Sequence, residues 1–273
     1  MNSIKMVVSD LDGTLLPLHQ KVSSTDLKTF YDLKEKNIIR VIATGRSYYA
    51  VREVLDDDFP IDYLICSTGA GIYDWKTKEL LKFECLRKNQ VKEITQVLNQ
   101  FDINYFVSKP IPDNHYFYYR KVNEGNHDFK LLFDYYQDFL TPLSEFEKQG
   151  FDDANHMLII LDHYNQFVEI SEKLSNVKII RVSSPLNTPC VWMEIFPAKV
   201  SKSHGLQWLC HRLGVHKDET FGIGNDFNDE DFLDWTYHSF VVSNAPEELK
   251  AKYTVTDCHT QNGFTKAVQK IIS

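Results

Sequence analysis

The chain has 273 residues, a formal net charge of −8, 43% hydrophobic and 25% charged side chains, a globular composition long enough for two domains of ordinary size. Disorder is excluded by that balance, and so is a nucleic-acid partner, because binding to a phosphate backbone draws its affinity from clustered Lys and Arg and no basic run interrupts the acidic average. No stretch approaches the roughly 18 apolar residues of a membrane span. The N-terminus runs into an apolar strand without the long apolar core of a secretory leader, so a cytoplasmic protein with no membrane partner is expected. The five cysteines, Cys66, Cys85, Cys190, Cys210 and Cys258, are far apart with no C-x-x-C pair, and read as reduced, mostly buried small apolar residues.

Ile4, Met6, Val7 and Val8 form a short run of the kind expected of a buried strand in a parallel sheet. It ends in Asp10-Leu11-Asp12-Gly13-Thr14, where Gly13 permits a sharp exit turn. Ligands of open α/β sheets bind beyond the carboxyl ends of strands, so Asp10 and Asp12 stand where a site is normally built. With one residue between them they point differently, and one can attack while the other handles protons, Asp being among the few side chains that serve as covalent nucleophiles. An acidic turn after a strand is the alternative. Ser23-Ser24-Thr25-Asp26 offers capping hydroxyls to a helix with Leu27, Phe30, Tyr31 and Leu33 on one face, ending near Asn37. A second apolar run, Ile38 to Ala43, stops at Thr44-Gly45-Arg46. Strand, helix, strand predicts a parallel pair with a right-handed crossover, which sets Thr44 beside Asp10. A hydroxyl and a backbone N–H there either receive phosphate oxygens or simply make a turn. A short helix around Val51, Val54 and Leu55 leads to a third strand, Tyr63 to Cys66, ended by Ser67-Thr68-Gly69-Ala70-Gly71.

From about Phe83 the character changes. Val91, Ile94, Leu98 and Phe101 mark a helix, and the runs Ile103 to Val107 and His115 to Tyr119, separated by Pro110 and Pro112, fit a hairpin with an irregular connection. Asn123 to Gly150 is acidic, aromatic and helical in part. Met157 to Leu161, a helix over 163–174 and Val177 to Val182 restore the α/β alternation, and Val191 to Phe196 is a further strand. The middle third therefore reads as a second domain inserted into the first. After Pro197, Leu206, Leu209, Cys210 and Leu213 continue one helical face to Gly214. Lys202 lies in that helix's first turn, where a cation opposes the helix dipole and either points to solvent or meets an anion. The strand Thr220 to Ile223 runs into Gly224-Asn225-Asp226-Phe227-Asn228-Asp229-Glu230-Asp231, a concentration of carboxylates and amides that suits Mg²⁺, which takes hard oxygen ligands, or a solvated acidic turn. Phe240 to Val242 is a strand, followed by Ser243-Asn244-Ala245-Pro246-Glu247-Glu248 with Pro at a helix start. Tyr253 to Val255 and a helix bearing Phe264, Val268 and Ile271 finish the layer.

Four separated motifs, Asp10 to Leu15, Thr44-Gly45-Arg46, Lys202, and Gly224 to Asp229, together resemble the haloacid dehalogenase (HAD) superfamily, and within it the Cof-like branch of sugar-phosphate phosphatases. The tail Ser243 to Lys250 with Gly263 before the last helix is similar to the same branch. The resemblance implies an α/β fold: a Rossmann-like core on a parallel sheet, residues 1–83 and 195–273, with an α/β cap inserted at 84–194 that sets substrate specificity. It implies a Mg²⁺-dependent phosphomonoesterase acting on a small phosphorylated metabolite, a sugar phosphate, through an aspartyl-phosphate. A phosphotransferase or phosphomutase of the same superfamily is one alternative, and a catalytically weakened phosphometabolite-binding protein another. Carried onto this chain, Asp10 is the nucleophile and Asp12 the acid and base. The Leu11 backbone, Thr44, the Gly45 backbone, Lys202 and Asn228 hold phosphate oxygens. Asp10, the Asp12 carbonyl, Asn225, Asp226 and Asp229 hold the metal. The partner implied is a small-molecule phosphate ester, and the chain is expected as a monomer or weak homodimer. Two residues depart from the branch: Asn225 stands where the fourth motif usually has Asp, and Thr68 where Asn commonly precedes Gly-Ala. Tyr105, His115, Tyr116, Tyr118 and Tyr119 are candidates for contacting a sugar, although strand alternation turns at least half of such a set into the cap's own core.

Overall fold

Two sheets organise the protein in this computed structural model, which describes residues 3–17, 21–184 and 188–272. The chain first lays down β1 (Met6–Ser9), β2 (Ile39–Ala43), β3 (Tyr63–Cys66), β4 (Gly71–Asp74) and β5 (Leu80–Phe83). It then builds β6 (Tyr105–Ser108), β7 (Phe117–Arg120), β8 (Leu140–Pro142), β9 (Met157–Leu161), β10 (Val177–Ser183) and β11 (Val191–Pro197), before β12 (Thr220–Gly224), β13 (His238–Val242) and β14 (Thr254–Thr256). Two compact units result, one made of residues 1–83 and 201–273, the other of 84–200.

The first unit's sheet has the order β14-β13-β12-β1-β2-β3-β4-β5. It is parallel from β14 to β3, and β4 and β5 extend it as antiparallel strands. The order reverses at β1, whose neighbours are β2 and β12, and at such a reversal the connecting loops diverge and leave a crevice at the strand ends. Both faces are covered, so the central strands are continuous apolar runs: Met6, Val7, Val8, Val41, Ile42, Phe221 and Ile223 are all fully buried. The helix Ser24–Glu35 forms where Ser23 Oγ accepts the Asp26 N–H at 3.0 Å. Its Phe30 stacks on Phe264 of the last helix, Gly263–Ile271, with ring centroids 4.7 Å apart. Buried Asp26 ties the same two helices by accepting the Thr265 N–H and hydroxyl at 3.1 and 2.7 Å.

The second unit carries a six-stranded sheet of order β10-β11-β9-β6-β7-β8, antiparallel except for the β7–β8 pair. Its β9 reads Met-Leu-Ile-Ile-Leu because both of its faces are roofed. Met157, Ile159 and Leu161 join one apolar cluster, with Tyr105 and Val107 of β6. Leu158 and Ile160 join the other, with Phe106, Phe117 and Phe129. The alternation settles three of the five sugar-contact candidates. Tyr105 is fully buried, Tyr118 stacks on Phe146 at 4.1 Å, and Tyr119 packs edge-on to Phe133 at 4.9 Å. His115 and Tyr116 belong to the loop between β6 and β7, which contains a cis Ile111–Pro112 bond. Between the two units the return differs from the expected residue 195: β11 continues through Pro197, which pairs with Val177, so the division falls after Val200. The segment 123–150, poorly legible beforehand, resolves into the helices His127–Tyr135 and Leu143–Lys148 with β8 between them.

One titratable group is sealed inside this second unit. His156 lies between β6 and the loop before β9, its Nδ1 2.9 Å from Ser108 Oγ and its ring stacked on Phe196 at 4.9 Å. Burial pushes its pKa down from 6.5 to about 4, so the folded chain holds it neutral. As pH falls from 6.5 toward 4 the unfolded chain takes up a proton that the folded one refuses, and stability drops by up to ~3 kcal/mol at about 1.4 kcal/mol per pH unit. Urea denaturation at pH 7 and pH 4.5 is expected to show a smaller loss for His156→Gln than for the native chain. Equal losses would remove His156 as the cause.

Candidate active site

β1 and β12 run side by side with Ser9 opposite Ile223, so Asp10 and Gly224 leave the sheet together, and the Asp10 N–H donates to Ile223 O at 2.9 Å. The loop after β12 folds back until the Asp229 carboxylate lies against Gly224, where a Cβ would meet Asp229 Oδ2 at 2.6 Å. That oxygen accepts the N–H groups of Asn225 and Asp226 at 2.8 and 3.0 Å. Lys202 comes from the opposite side. It opens the helix Lys202–Leu213, capped by Ser201 Oγ on the His204 N–H at 3.2 Å, and the helix comes close because a side chain at Gly69 would strike the Ser201 carbonyl at 2.1 Å. Lys202 Nζ donates to Asp10 Oδ1 at 2.7 Å and to Asp229 Oδ1 at 2.6 Å, with all three side chains at most 7% exposed.

Burial is the main force raising the Asp10 pKa, Asp229 adds to it, and Lys202 opposes both, leaving Asp10 pushed up to about 7. For Lys202 burial pulls downward, but the two carboxylates outweigh it and hold the ammonium above its usual range. The lysine thus meets two anions, which settles the choice left open for it in the sequence.

Asp12 occupies a different environment. Its carboxylate is 46% exposed and is gripped in a fork by Arg46, Nε to Oδ2 and Nη2 to Oδ1, both at 2.7 Å. Arg46, the last residue of the second motif, suits this grip because a planar guanidinium meets a carboxylate bidentately. Leu11 is fully buried, and its carbonyl closes the turn by accepting from Thr14, Leu15 and Leu16. Thr44 Oγ1 accepts the Arg46 N–H at 3.1 Å, which leaves its O–H as a donor. Gly45, Thr68 and Asn228 are neighbours: a Cβ on Gly45 would lie 3.6 Å from Thr68 Oγ1 and 3.8 Å from Asn228 Nδ2. Thr68 has φ 56° and ψ 26°, a left-handed conformation costly for a β-branched residue and easy for Asn.

Asn225 completes the site. Its side chain reaches across to the first loop, over Gly13, whose φ of +75° and missing Cβ make the room. With the amide oxygen inward, that oxygen accepts from Thr14 Oγ1 at 3.1 Å and also faces the Asp12 carbonyl at 2.9 Å and Asp10 Oδ2 at 3.0 Å. Turned this way, the amide places its oxygen beside one Asp10 oxygen and the Asp12 carbonyl; turned over, its nitrogen takes that place and donates to both. Mg²⁺ holds oxygens at 2.0–2.1 Å in octahedral geometry, which sets adjacent ligand oxygens about 2.9–3.0 Å apart, so this donor set fits Mg²⁺. Both oxygens of Asp229 are engaged, Oδ1 by Lys202 and Oδ2 by two backbone N–H groups. Asp226 caps the turn Phe227–Asp229. Among the described residues no group of three carboxylate, imidazole or thiol side chains is arranged to hold a metal; the cluster here owes two of its three oxygens to a backbone carbonyl and an amide.

The fold is a doubly wound α/β layer with a strand-end carboxylate site and a second α/β unit inserted after its fifth strand. The chain belongs to the haloacid dehalogenase-like hydrolases, whose family model matches residues 7–268. It is 24% identical over 268 residues to the 5-amino-6-(5-phospho-D-ribitylamino)uracil phosphatase YcsE of Bacillus subtilis, covering 97% of this chain and 95% of that one. Among solved structures it is similar to a phosphatase of the haloalkanoate (HAD) superfamily from Bacteroides thetaiotaomicron, with a TM-score of 0.82, 19% identity, and 98% and 95% of the two chains covered. A HAD subclass IIB sugar phosphatase gives a TM-score of 0.78 at 19% identity, covering 97% of this chain and 98% of that one.

Removing the ammonium leaves two buried carboxylates facing each other. Lys202→Met is expected to destabilise the chain by about 3 kcal/mol or more, the scale of breaking a buried ion pair from one side, and Lys202→Met with Asp229→Asn to regain part of it. Guanidinium denaturation at pH 8 measures both. A loss under about 1 kcal/mol, the scale of an exposed ion pair, would contradict the buried arrangement.

Proposed function

We propose that this chain is a Mg²⁺-dependent phosphomonoesterase that hydrolyses a small phosphorylated metabolite, a sugar phosphate, through an aspartyl-phosphate on Asp10. The observation that carries the reading is the buried Lys202 ammonium 2.7 Å from Asp10 Oδ1, at the end of the sheet where the strand order reverses. Asp10 attacks phosphorus, the P–O bond to the alcohol breaks, and Asp12 gives that alcohol its proton. Asp12 then takes a proton from water as the water attacks the aspartyl-phosphate, returning free Asp10 and inorganic phosphate. Lys202, the Thr44 hydroxyl and Asn228 take the phosphate oxygens, and Asp229 keeps Lys202 aimed. Asp10 Oδ2, the Asp12 carbonyl and Asn225 Oδ1 would hold the metal. When bound, Mg²⁺ offsets the repulsion between a carboxylate and a phosphate dianion.

We assign the choice of substrate to the second unit. Its loop Lys109–Tyr116 lies at the sheet end where the chain enters and leaves that unit, since Ser108 pairs with Phe117, Val107 with Met157, and Met157 with Ile195 shortly before the exit. Tyr116, 37% exposed, and Lys109, whose Nζ lies 5.2 Å from the Tyr116 ring centroid, form its outer surface. The names of the related phosphatases, one acting on a ribityl phosphate and one a sugar phosphatase, support a polyhydroxylated leaving group.

Asp10→Asn is expected to abolish Mg²⁺-stimulated phosphate release from an aryl phosphate, because an amide of nearly the same shape cannot attack phosphorus, while circular dichroism stays native. Retained turnover would take Asp10 out of the role. Tyr116→Ala is expected to reorder a panel of sugar and polyol phosphates by kcat/KM, with an aryl phosphate changed less than about threefold. An unchanged ranking would make the loop structural only.

A further inference from the structure

We propose that Asn225 is a two-state switch on the metal position, whose amide nitrogen holds the site together without metal and whose oxygen joins the ligand set when the cation binds. This rests on the metal ligands assigned above and goes beyond them to how this chain controls their loading. With oxygen inward, the Asn225 oxygen stands 2.9 Å from the Asp12 carbonyl and 3.0 Å from Asp10 Oδ2, and only the Thr14 hydroxyl, at 3.1 Å, supplies a proton. Two of those contacts, to Asp10 Oδ2 and the Asp12 carbonyl, are repulsive unless a cation lies among them. Turned over, the amide nitrogen donates to the Asp12 carbonyl at 2.9 Å, to Asp10 Oδ2 at 3.0 Å and to Thr14 Oγ1 at 3.1 Å.

One neighbour serves both states. Thr14 is fully buried, and a hydroxyl both donates and accepts, so it donates to the amide oxygen in one state and accepts from the nitrogen in the other. Gly13 offers no Cβ to block the outer arm of the amide, where one would stand 2.6 Å from it. The Asn225 backbone is pinned to Asp229 at 2.8 Å, so the change is a rotation of the side-chain amide alone. An Asp at 225 could present only oxygens and has no metal-free partner for Asp10 Oδ2. In the metal-free chain Asp10 is therefore held at both oxygens, by Lys202 and by Asn225, and a cation has to turn the amide and displace those bonds. Apparent metal affinity falls by the fraction of molecules in the oxygen-inward state.

The test uses the full chain labelled with ¹⁵N-asparagine, without substrate. The Asn225 side-chain NH₂ signal is identified by its absence in Asn225→Asp and in Asn225→Ser. In the metal-free native chain it is expected to exchange slowly with solvent, and on adding MgCl₂ to shift and lose that protection. Calorimetric titration with MgCl₂ is expected to give at least a roughly tenfold tighter Kd for Asn225→Asp, from the added charge and the lost competing state. A fast-exchanging amide in the metal-free chain overturns the switch. So does Mg²⁺ binding of equal strength in both proteins with the amide signal unmoved. No binding heat in either protein at millimolar MgCl₂ overturns the metal assignment itself, and the switch with it.

Discussion

A lysine ammonium buried between two carboxylates is the interaction around which the first unit is laid out. Asp10 ends β1, Asp229 follows β12 and Lys202 opens the helix that precedes β12, so the three meet only if β12 lies beside β1 and the intervening helix starts above that junction. Burying three charges is costly, and so is a cation at a helix N-terminus. The arrangement survives because each charge is offset: Asp229 by two backbone N–H groups and the lysine, Asp10 by the lysine at one oxygen, and Lys202 by both acids. Burial above all, and the Asp229 charge after it, raise the Asp10 pKa in spite of the lysine. The pattern is poorly chosen for stability and well chosen for holding a carboxylate dry, aimed and one cation short.

The one-residue spacing in Asp10-Leu11-Asp12 separates two acids into two chemistries. Asp10 is enclosed, whereas the Asp12 side chain is exposed and solvated, held by Arg46, which also donates to the Ala50 carbonyl at 3.3 Å. Two carboxylates in unlike surroundings can take unlike roles. Asp12 adds a third contribution through its backbone, since its carbonyl turns toward Asn225 while its side chain points to the guanidinium. Under the roles proposed above, the Arg46 fork fixes where the Asp12 carboxylate points.

Much of the first unit was readable because its signals are local. Three strands end in small polar residues, and parallel pairing puts those ends on one edge, so Thr44 could be set beside Asp10 on paper, whereas Lys202 joined them only through the family resemblance. The second unit was less readable because its strand order is set by pairings between distant segments; nothing local in Leu140–Pro142 says that it pairs parallel to β7, or that β11 runs on to Pro197. Tyr105, Tyr118 and Tyr119 looked alike as polar aromatics, and only the two apolar layers on either side of the sheet decide that they pack. Arg46 and Asp229 were visible as residue types but not as partners, because their roles depend on which oxygen is already taken. Asn225 was legible as a departure; that its amide reaches the Asp12 carbonyl depends on a left-handed Gly13 that no pattern of polarity displays.

The loops that carry the site are locked to one another by backbone. The Thr68 N–H donates to the Thr44 carbonyl at 3.0 Å and that of Ser67 to the Arg46 carbonyl at 2.8 Å, with Ser67 and Thr68 both at positive φ. Gly69 is pressed against the Ser201 carbonyl, and Gly224 against Asp229. Strained backbone of this kind persists where its surroundings over-determine it, and here the surroundings are other loops of the same site. With the main chain so constrained, the freedom left at the carboxylates lies in two side-chain groups, the Arg46 fork on Asp12 and the Asn225 amide beside Asp10. Each stands where a reactant must act, and each gives up hydrogen bonds when it moves. Under the roles proposed above, a ligand that replaces the contacts of these two groups acts on the two acids without moving the sheet.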